Sequence, residues 1–210
     1  DWVGARVRTG TNHLETDIVL SSVNSPFDYA CNTKILIVND IDKSNISQVS
    51  SAYRELFLAS GGGGLGLFTA ISRLRDVYKL IAPELERLGM QIFSQHIEGL
   101  DVGTLIDVFR AEENACLLGT DAVRDGVDVP GRSLRLIIFD RVPWPRPNIL
   151  HRARRKAFGG QSYDETLTRL KLSQAYGRLI RKTTDKGIFV MMDRALPTRL
   201  LSAFPNGVQV

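Results

Sequence analysis

Six short apolar runs, separated by stretches with helical spacing, decide which folds are open to this 210-residue chain. The runs are residues 34–38 (KILIV), 65–69 (LGLFT), 90–94 (MQIFS), 115–119 (ACLLG), 134–140 (LRLIIFD) and 187–192 (GIFVMM). A strand with one wet face alternates polar and apolar residues. These runs scarcely alternate, so each is expected to be covered on both faces. Between them, residues 46–59 set Val49, Tyr53, Leu56 and Phe57 at helical spacing. Residues 71–88 do the same with Leu74, Val77, Tyr78, Ile81 and Leu85, with Gly89 just past the end. Asp101 is placed to cap a helix that runs to Arg110. Residues 163–182 carry a further long helical pattern. Strands alternating with helices predict an α/β domain of three layers around a mostly parallel sheet. Ligands of such sheets gather at the carboxyl ends of the strands, which directs attention to Thr69, Thr120, Asp140 and Asp193.

The first thirty residues read less regularly and form a lead-in segment packed on the domain; residues 31–210 form the α/β domain itself. Residues 18–20 have the character of a short strand, and Pro26 biases residues 24–29 (NSPFDY) toward a turn. The proline-rich stretch 143–147 (PWPRP) cannot continue a strand and is a loop, with Trp144 pinned against the sheet or stacked on a base. Lys and Arg outnumber Asp and Glu by 27 to 23. That mild excess fits phosphate-bearing partners but does not single them out. The two cysteines, Cys31 and Cys116, lack a second cysteine at metal-ligand spacing and read as free, largely buried thiols in a reducing compartment. No stretch reaches the roughly 18 apolar residues of a membrane helix, so no membrane partner is expected. No secretory signal is present, which makes cytoplasm the default, and a chain starting at Asp1 without Met reads as an excised piece.

Three segments carry chemistry. The glycines at 61–64 suggest a phosphate loop, yet Leu65 stands where such a loop needs Lys followed by Ser or Thr, so a flexible turn is the expectation. Residues 119–131 (GTDAVRDGVDVPG) follow a buried strand directly. There Gly126 permits a sharp turn, Thr120 has a hydroxyl and a backbone N–H to offer a phosphate oxygen, and Asp125 and Asp128 are acceptors. The helix carrying residues 174–181 (QAYGRLIR) spaces Gln174, Arg178 and Arg181 by four and then three, which makes one polar stripe aimed out of the sheet. Gly177 is unfavourable in mid-helix by roughly 1 kcal/mol and suggests close packing against it. Two fixed guanidiniums and an amide suit a γ-phosphate sensor; a solvated helix face is the plainer alternative.

Taken in order, residues 24–29 (NSPFDY), 67–70 (LFTA), 119–131, 140–147 (DRVPWPRP) and 174–181 resemble the second motor domain of DinG-type helicases, superfamily 2 enzymes close to the XPD group. The resemblance runs from about residue 20 to 205 and implies a RecA-like domain of the P-loop NTPase type. It implies that residues 119–131 are helicase motif V and residues 174–181 motif VI. Arg178 and Arg181 would then be the catalytic arginines, with Arg181 the finger. Gln174, Gly177, Asp128 and Gly126 would lie at the nucleotide. Thr69 in motif IV and Thr120 in motif V would touch the DNA backbone, joined by Arg152 and Arg155 of the basic run. ATP and Mg2+ would be held mainly by an N-terminal lobe of the same protein, the only place for any iron–sulfur cluster, and single-stranded or forked DNA would be the substrate. The 210 residues alone would be inactive. One departure stands out: the family often has an aromatic residue and Glu before GVD, where this chain has Arg124 and Asp125. Two other readings stay open, a non-catalytic nucleic-acid-binding or scaffolding domain that kept a helicase fold, and an unrelated α/β nucleotide-binding protein.

Overall fold

The computed structural model describes residues 2–126, 128–129 and 131–210; Asp1, and Val127 and Pro130 of the 119–131 segment, lie outside the described residues. Six strands make one sheet: β1 (Thr33–Ile37), β2 (Gly64–Leu67), β3 (Ile92–Ser94), β4 (Cys116–Gly119), β5 (Leu136–Phe139) and β6 (Gly187–Met191). Their order is β1-β6-β5-β2-β4-β3, and every neighbouring pair is parallel. The expected three-layer α/β architecture is therefore the one observed.

The apolar runs are explained by two cores. Leu117, Ile137, Phe139, Phe189 and Met191 point to one face, where they meet α5 (Val102–Ala111) and α8 (Gln161–Tyr176). Cys116, Leu118, Leu136, Ile138 and Val190 point to the other, against α3 (Ile46–Ser60) and α4 (Ile71–Arg87). Burying a large apolar side chain stabilises by about 1.5–3 kcal/mol, so a strand dressed on both faces contributes twice what a half-wet one does. The helices begin where the sequence supplies caps. Asn45 accepts from the N–H groups of Ser47 and Gln48 at the start of α3, and Asp101 accepts from Thr104 N–H at α5, as expected from its type.

The glycine run proves to be a tightly packed turn rather than a flexible one. Gly61 ends α3 in the left-handed region at φ 65°, and a Cβ on Gly62 would lie 2.0 Å from the Asn114 carbonyl oxygen. The Arg135 guanidinium then donates to the carbonyls of Ser60, Gly61 and Glu113 at 2.9, 2.6 and 2.9 Å, tying three connections together at the amino edge of the sheet. The N–H groups of Gly61, Gly62 and Gly63 in turn donate to the carbonyls of Leu58, Phe57 and Ala115, so they are not free to cradle phosphate.

Three expectations need correction. Residues 18–20 form no strand, because an apolar triplet with no neighbour to pair with gains nothing by extending. Cys31 is exposed, since it sits on the short α2 (Tyr29–Asn32), which has no buried residues; only Cys116 is inside. The basic run, whose local structure the sequence left open, lies on a helix, α7 (Ile149–Ala157), which Asn148 caps by accepting from His151 N–H. The long helical pattern stops at Tyr176, short of the arginines it was expected to carry. The lead-in holds α1 (Trp2–Thr9), whose Gly4 and Val7 line a groove with Arg154 and Phe158 of the α7 region and Tyr163 and Leu167 of α8. Among the described residues no helix is long and apolar enough to cross a membrane.

Candidate nucleic-acid edge and arginine flank

At the carboxyl edge, strand order brings the residues after β6, β5, β2, β4 and β3 into one row: Asp193, Asp140, Thr69, Thr120 and Gln95. Two of these are internal. Asp140 has no exposed surface and receives both arms of the Arg73 guanidinium, Nε at 2.8 Å and Nη2 at 2.6 Å. The carboxylate beside it raises the pKa of Arg73 against the opposing effect of burial. Asp193 accepts from Lys43 Nζ at 2.7 Å and from the N–H groups of Ala195 and Val142. Burial pushes its carboxyl up, but Lys43 and the backbone donors outweigh that and hold it below its ordinary value. Both aspartates organise loops. Thr69 and Thr120 are half-exposed at the same edge. The Thr69 carbonyl accepts from Arg146 Nη2 at 2.7 Å, which fastens the proline loop over β2. Trp144 in that loop is 39% exposed, so it only partly packs on the sheet. Arg152 and Arg155 are exposed on α7, and Arg155 Nε donates to Asp164 at 2.6 Å.

Both donors of Thr120 are taken. Its N–H and its hydroxyl each donate to Gln95 Oε1 at 2.9 Å, so neither is free for a phosphate in this conformation. Sequence reasoning passed over Gln95, Arg73 and Arg146. Gln95 was within reach, because it follows the 90–94 run as Thr120 follows 115–119.

The arginines occupy a different place. Gly177 lies at the end of α8, not in its middle, and the chain tightens there: Arg178 N–H donates to Ala175 O and Leu179 N–H to Tyr176 O. Asp185 then accepts from the N–H groups of Arg181 and Lys182. A crossover helix leaves the carboxyl edge and returns to the amino edge, so residues past the end of α8 and ahead of β6 lie away from the strand tips. The stripe expected on one helix face, aimed from the tips, is thus split between the last turns of α8 and the loop after it.

Even so, the stripe remains on one side, and what it meets is α6 (Asp121–Gly126), the short helix descending from Thr120. Lys171 Nζ pairs with Asp121 at 3.2 Å, Arg178 Nη2 donates to the Asp125 carbonyl at 3.0 Å, and Arg181 Nη2 pairs with Asp128 at 3.0 Å. Gln174, between the first two, is exposed. The Asp125 carboxylate is occupied by Arg124, a side chain only 5% exposed that also pairs with Asp121 at 2.7 Å. Gly126 packs close to Ile106, 3.2 Å from where a Cβ would stand. Arg110, at the end of α5, donates to the Asp128 carbonyl and anchors the far end of the segment. A three-rung ladder therefore joins the carboxyl edge to the arginine flank.

Residues 53–209 match the family described as "Helicase C-terminal domain". The chain belongs to that family, in its DinG/XPD branch. The match takes in residues 67–70, 119–131 and 174–181, while residues 24–29 lie ahead of it. The ATP-dependent helicase DinG of Mycobacterium tuberculosis (strain ATCC 25618 / H37Rv) is 31% identical over 194 residues, covering 87% of this chain and 28% of the relative. The ATP-dependent DNA helicase YoaA of Escherichia coli (strain K12) is 30% identical over 186 residues, covering 83% of this chain and 28% of that protein. The chain thus spans well under a third of the length of these relatives. Among solved structures, one titled "XPD_Helicase" superposes with a TM-score of 0.60 at 14% identity, covering 81% of this chain and 33% of its own, a likeness of fold.

Proposed function

We propose that this domain is the C-terminal half of an ATP-driven DNA motor. Its carboxyl edge meets single-stranded or forked DNA, and its arginine flank faces a nucleotide held by an N-terminal lobe of the same protein. The ladder that joins residues 121–128 to residues 171–181 carries the reading, because it gives two separate faces a common element. Thr69, Thr120 and the exposed Arg152 and Arg155 stand on the DNA side. Arg178, Arg181, Gln174, Gly177, Gly126 and Asp128 stand on the nucleotide side.

The side chains present fit one part of a nucleotide site and not the other. Arg181 is 35% exposed and uses one nitrogen on Asp128, which leaves N–H groups for a phosphate. The glycine turn, by contrast, is consumed by the fold and is followed by Leu65, so the phosphate loop and the Mg2+ ligands are assigned to the other lobe. Bound ATP supplies the phosphoanhydride whose cleavage drives the motor. The residues of this domain hold positive charge where negative charge builds on the transferred group, and they sense it by exchanging Asp128 for phosphate. Displacing α6 at Thr120 shifts the Asp125 and Asp128 rungs, so a step on DNA alters how Arg178 and Arg181 are held.

The isolated 210-residue chain is expected to show negligible ATP hydrolysis with or without single-stranded DNA, while the full-length protein that contains it turns over. Robust hydrolysis by the isolated chain would overturn the two-lobe assignment. The names of the relatives favour the motor over the scaffolding alternative, since both are called ATP-dependent helicases.

A further inference from the structure

We infer that Gln95 is a nucleic-acid phosphate contact and the residue that sets the pose of Thr120. This rests on the reading that the carboxyl edge meets DNA. Gln95 is 6% exposed and directly follows β3, beside Thr120 on the neighbouring strand. Its amide orientation is settled by chemistry. A backbone N–H can only donate, so the group facing Thr120 N–H at 2.9 Å must be the oxygen Oε1. The Thr120 hydroxyl, 2.9 Å from the same oxygen, donates to it as well. Oε1 is then saturated and Nε2, with two N–H donors, faces the other way. No acceptor among the described residues pairs with Nε2.

The turn that carries Gln95 is held firmly. Ser94 N–H donates to both oxygens of Glu98, at 3.0 and 2.8 Å, and folds residues 94–98 back on themselves. His96 follows in the left-handed region at φ 69°, a conformation that costs a non-glycine residue of order 1 kcal/mol and persists where surroundings impose it. The result is an amide amino group fixed at the edge where Thr69 and Thr120 stand. A neutral donor pair is suited to one phosphate oxygen, and its bond to that charged acceptor is stronger than to a neutral one. It also explains why Thr120 can give away both its donors: they orient the amide that makes the contact.

The test uses the full-length protein and a dT oligonucleotide, unmodified or carrying one neutral methylphosphonate at each position in turn, with affinity read by fluorescence anisotropy. Gln95→Met is expected to weaken binding to the unmodified strand about tenfold, the size of one lost hydrogen bond to a charged group. That loss should vanish against the oligonucleotide neutralised at one particular phosphate, because the protein change and the phosphate change remove the same contact. Gln95→Glu keeps an acceptor for Thr120, loses the donors and sets a carboxylate against the phosphate, so it should bind at least as weakly as Gln95→Met. Wild-type affinity in Gln95→Glu, or a Gln95→Met deficit that persists at every phosphate position, would overturn the contact. If Thr69→Asp and Thr120→Asp also leave affinity unchanged, the carboxyl-edge reading itself has failed.

Discussion

Replacing Asp140 by Asn probes the carboxyl edge most sharply. The change keeps shape and volume but turns one acceptor oxygen into an NH2 group facing the Arg73 guanidinium, which now meets a donor where a carboxylate stood at 2.6 and 2.8 Å. Removing one partner of a buried ion pair costs about 3–5 kcal/mol. Asp140 is fully buried but the Arg73 side chain keeps 16% of its exposure, so water relieves part of the stranded charge and the lower end, about 3 kcal/mol, applies. With a urea slope of about 2–3 kcal/mol per molar, the unfolding midpoint of the chain should fall by about 1 M. The double change Arg73→Met with Asp140→Leu removes both charges and should recover stability to within about 1 kcal/mol of the parent, since a buried ion pair replaced by apolar groups is close to neutral. Urea melts of the parent, Arg73→Met, Asp140→Leu and the double variant form a double-mutant cycle. A loss below about 1 kcal/mol for Asp140→Asn, or additive losses in the double variant, would refute the buried pair, because that is how an exposed one behaves.

The two thiols should separate cleanly. Burial pushes Cys116 up to about 12 whereas Cys31 is exposed, so an aromatic disulfide reagent at pH 8 should titrate one thiol in the native chain and two after unfolding; two fast thiols would contradict the packing around β4. Acid should destabilise the chain through Asp193. Its folded pKa lies below the unfolded value, so its contribution is present above the unfolded pKa and is lost as pH falls through the folded one. Lys43→Met should flatten the loss of stability below about pH 4, and an unchanged acid profile would show that Lys43 does not hold that carboxylate.

Much of this molecule is written in apolar periodicity. The six runs become the six strands because residues such as Leu117 and Leu118, or Phe189 and Val190, each find a core on their own side of the sheet. Position after a strand located Thr69 and Thr120 and, applied to the 90–94 run, would have found Gln95. What spacing could not convey was where α8 ends. Gln174, Arg178 and Arg181 keep helical spacing, but Gly177 and the Asp185 carboxylate end the helix and take up the backbone N–H groups of Arg181 and Lys182, a competition between local caps and periodicity. Nor could it show that Arg124, in place of the family's aromatic residue, is buried and spends the Asp125 carboxylate, because burial of a charge depends on partners brought in by the fold. The glycine turn was misjudged as flexible for the same reason: Asn114 and Arg135, distant in sequence, fill the space that side chains would need.

The assignment of Arg181 to a transition state shared between lobes is tested most directly by Arg181→Ala in the full-length protein, with nucleotide affinity and DNA-stimulated hydrolysis measured side by side. Turnover should fall by about a thousandfold or more while ATP affinity shifts only a few-fold, the signature of a group that acts when charge develops on the transferred phosphoryl. Parallel losses in binding and turnover, or full activity with Asp128 left unpaired, would contradict it.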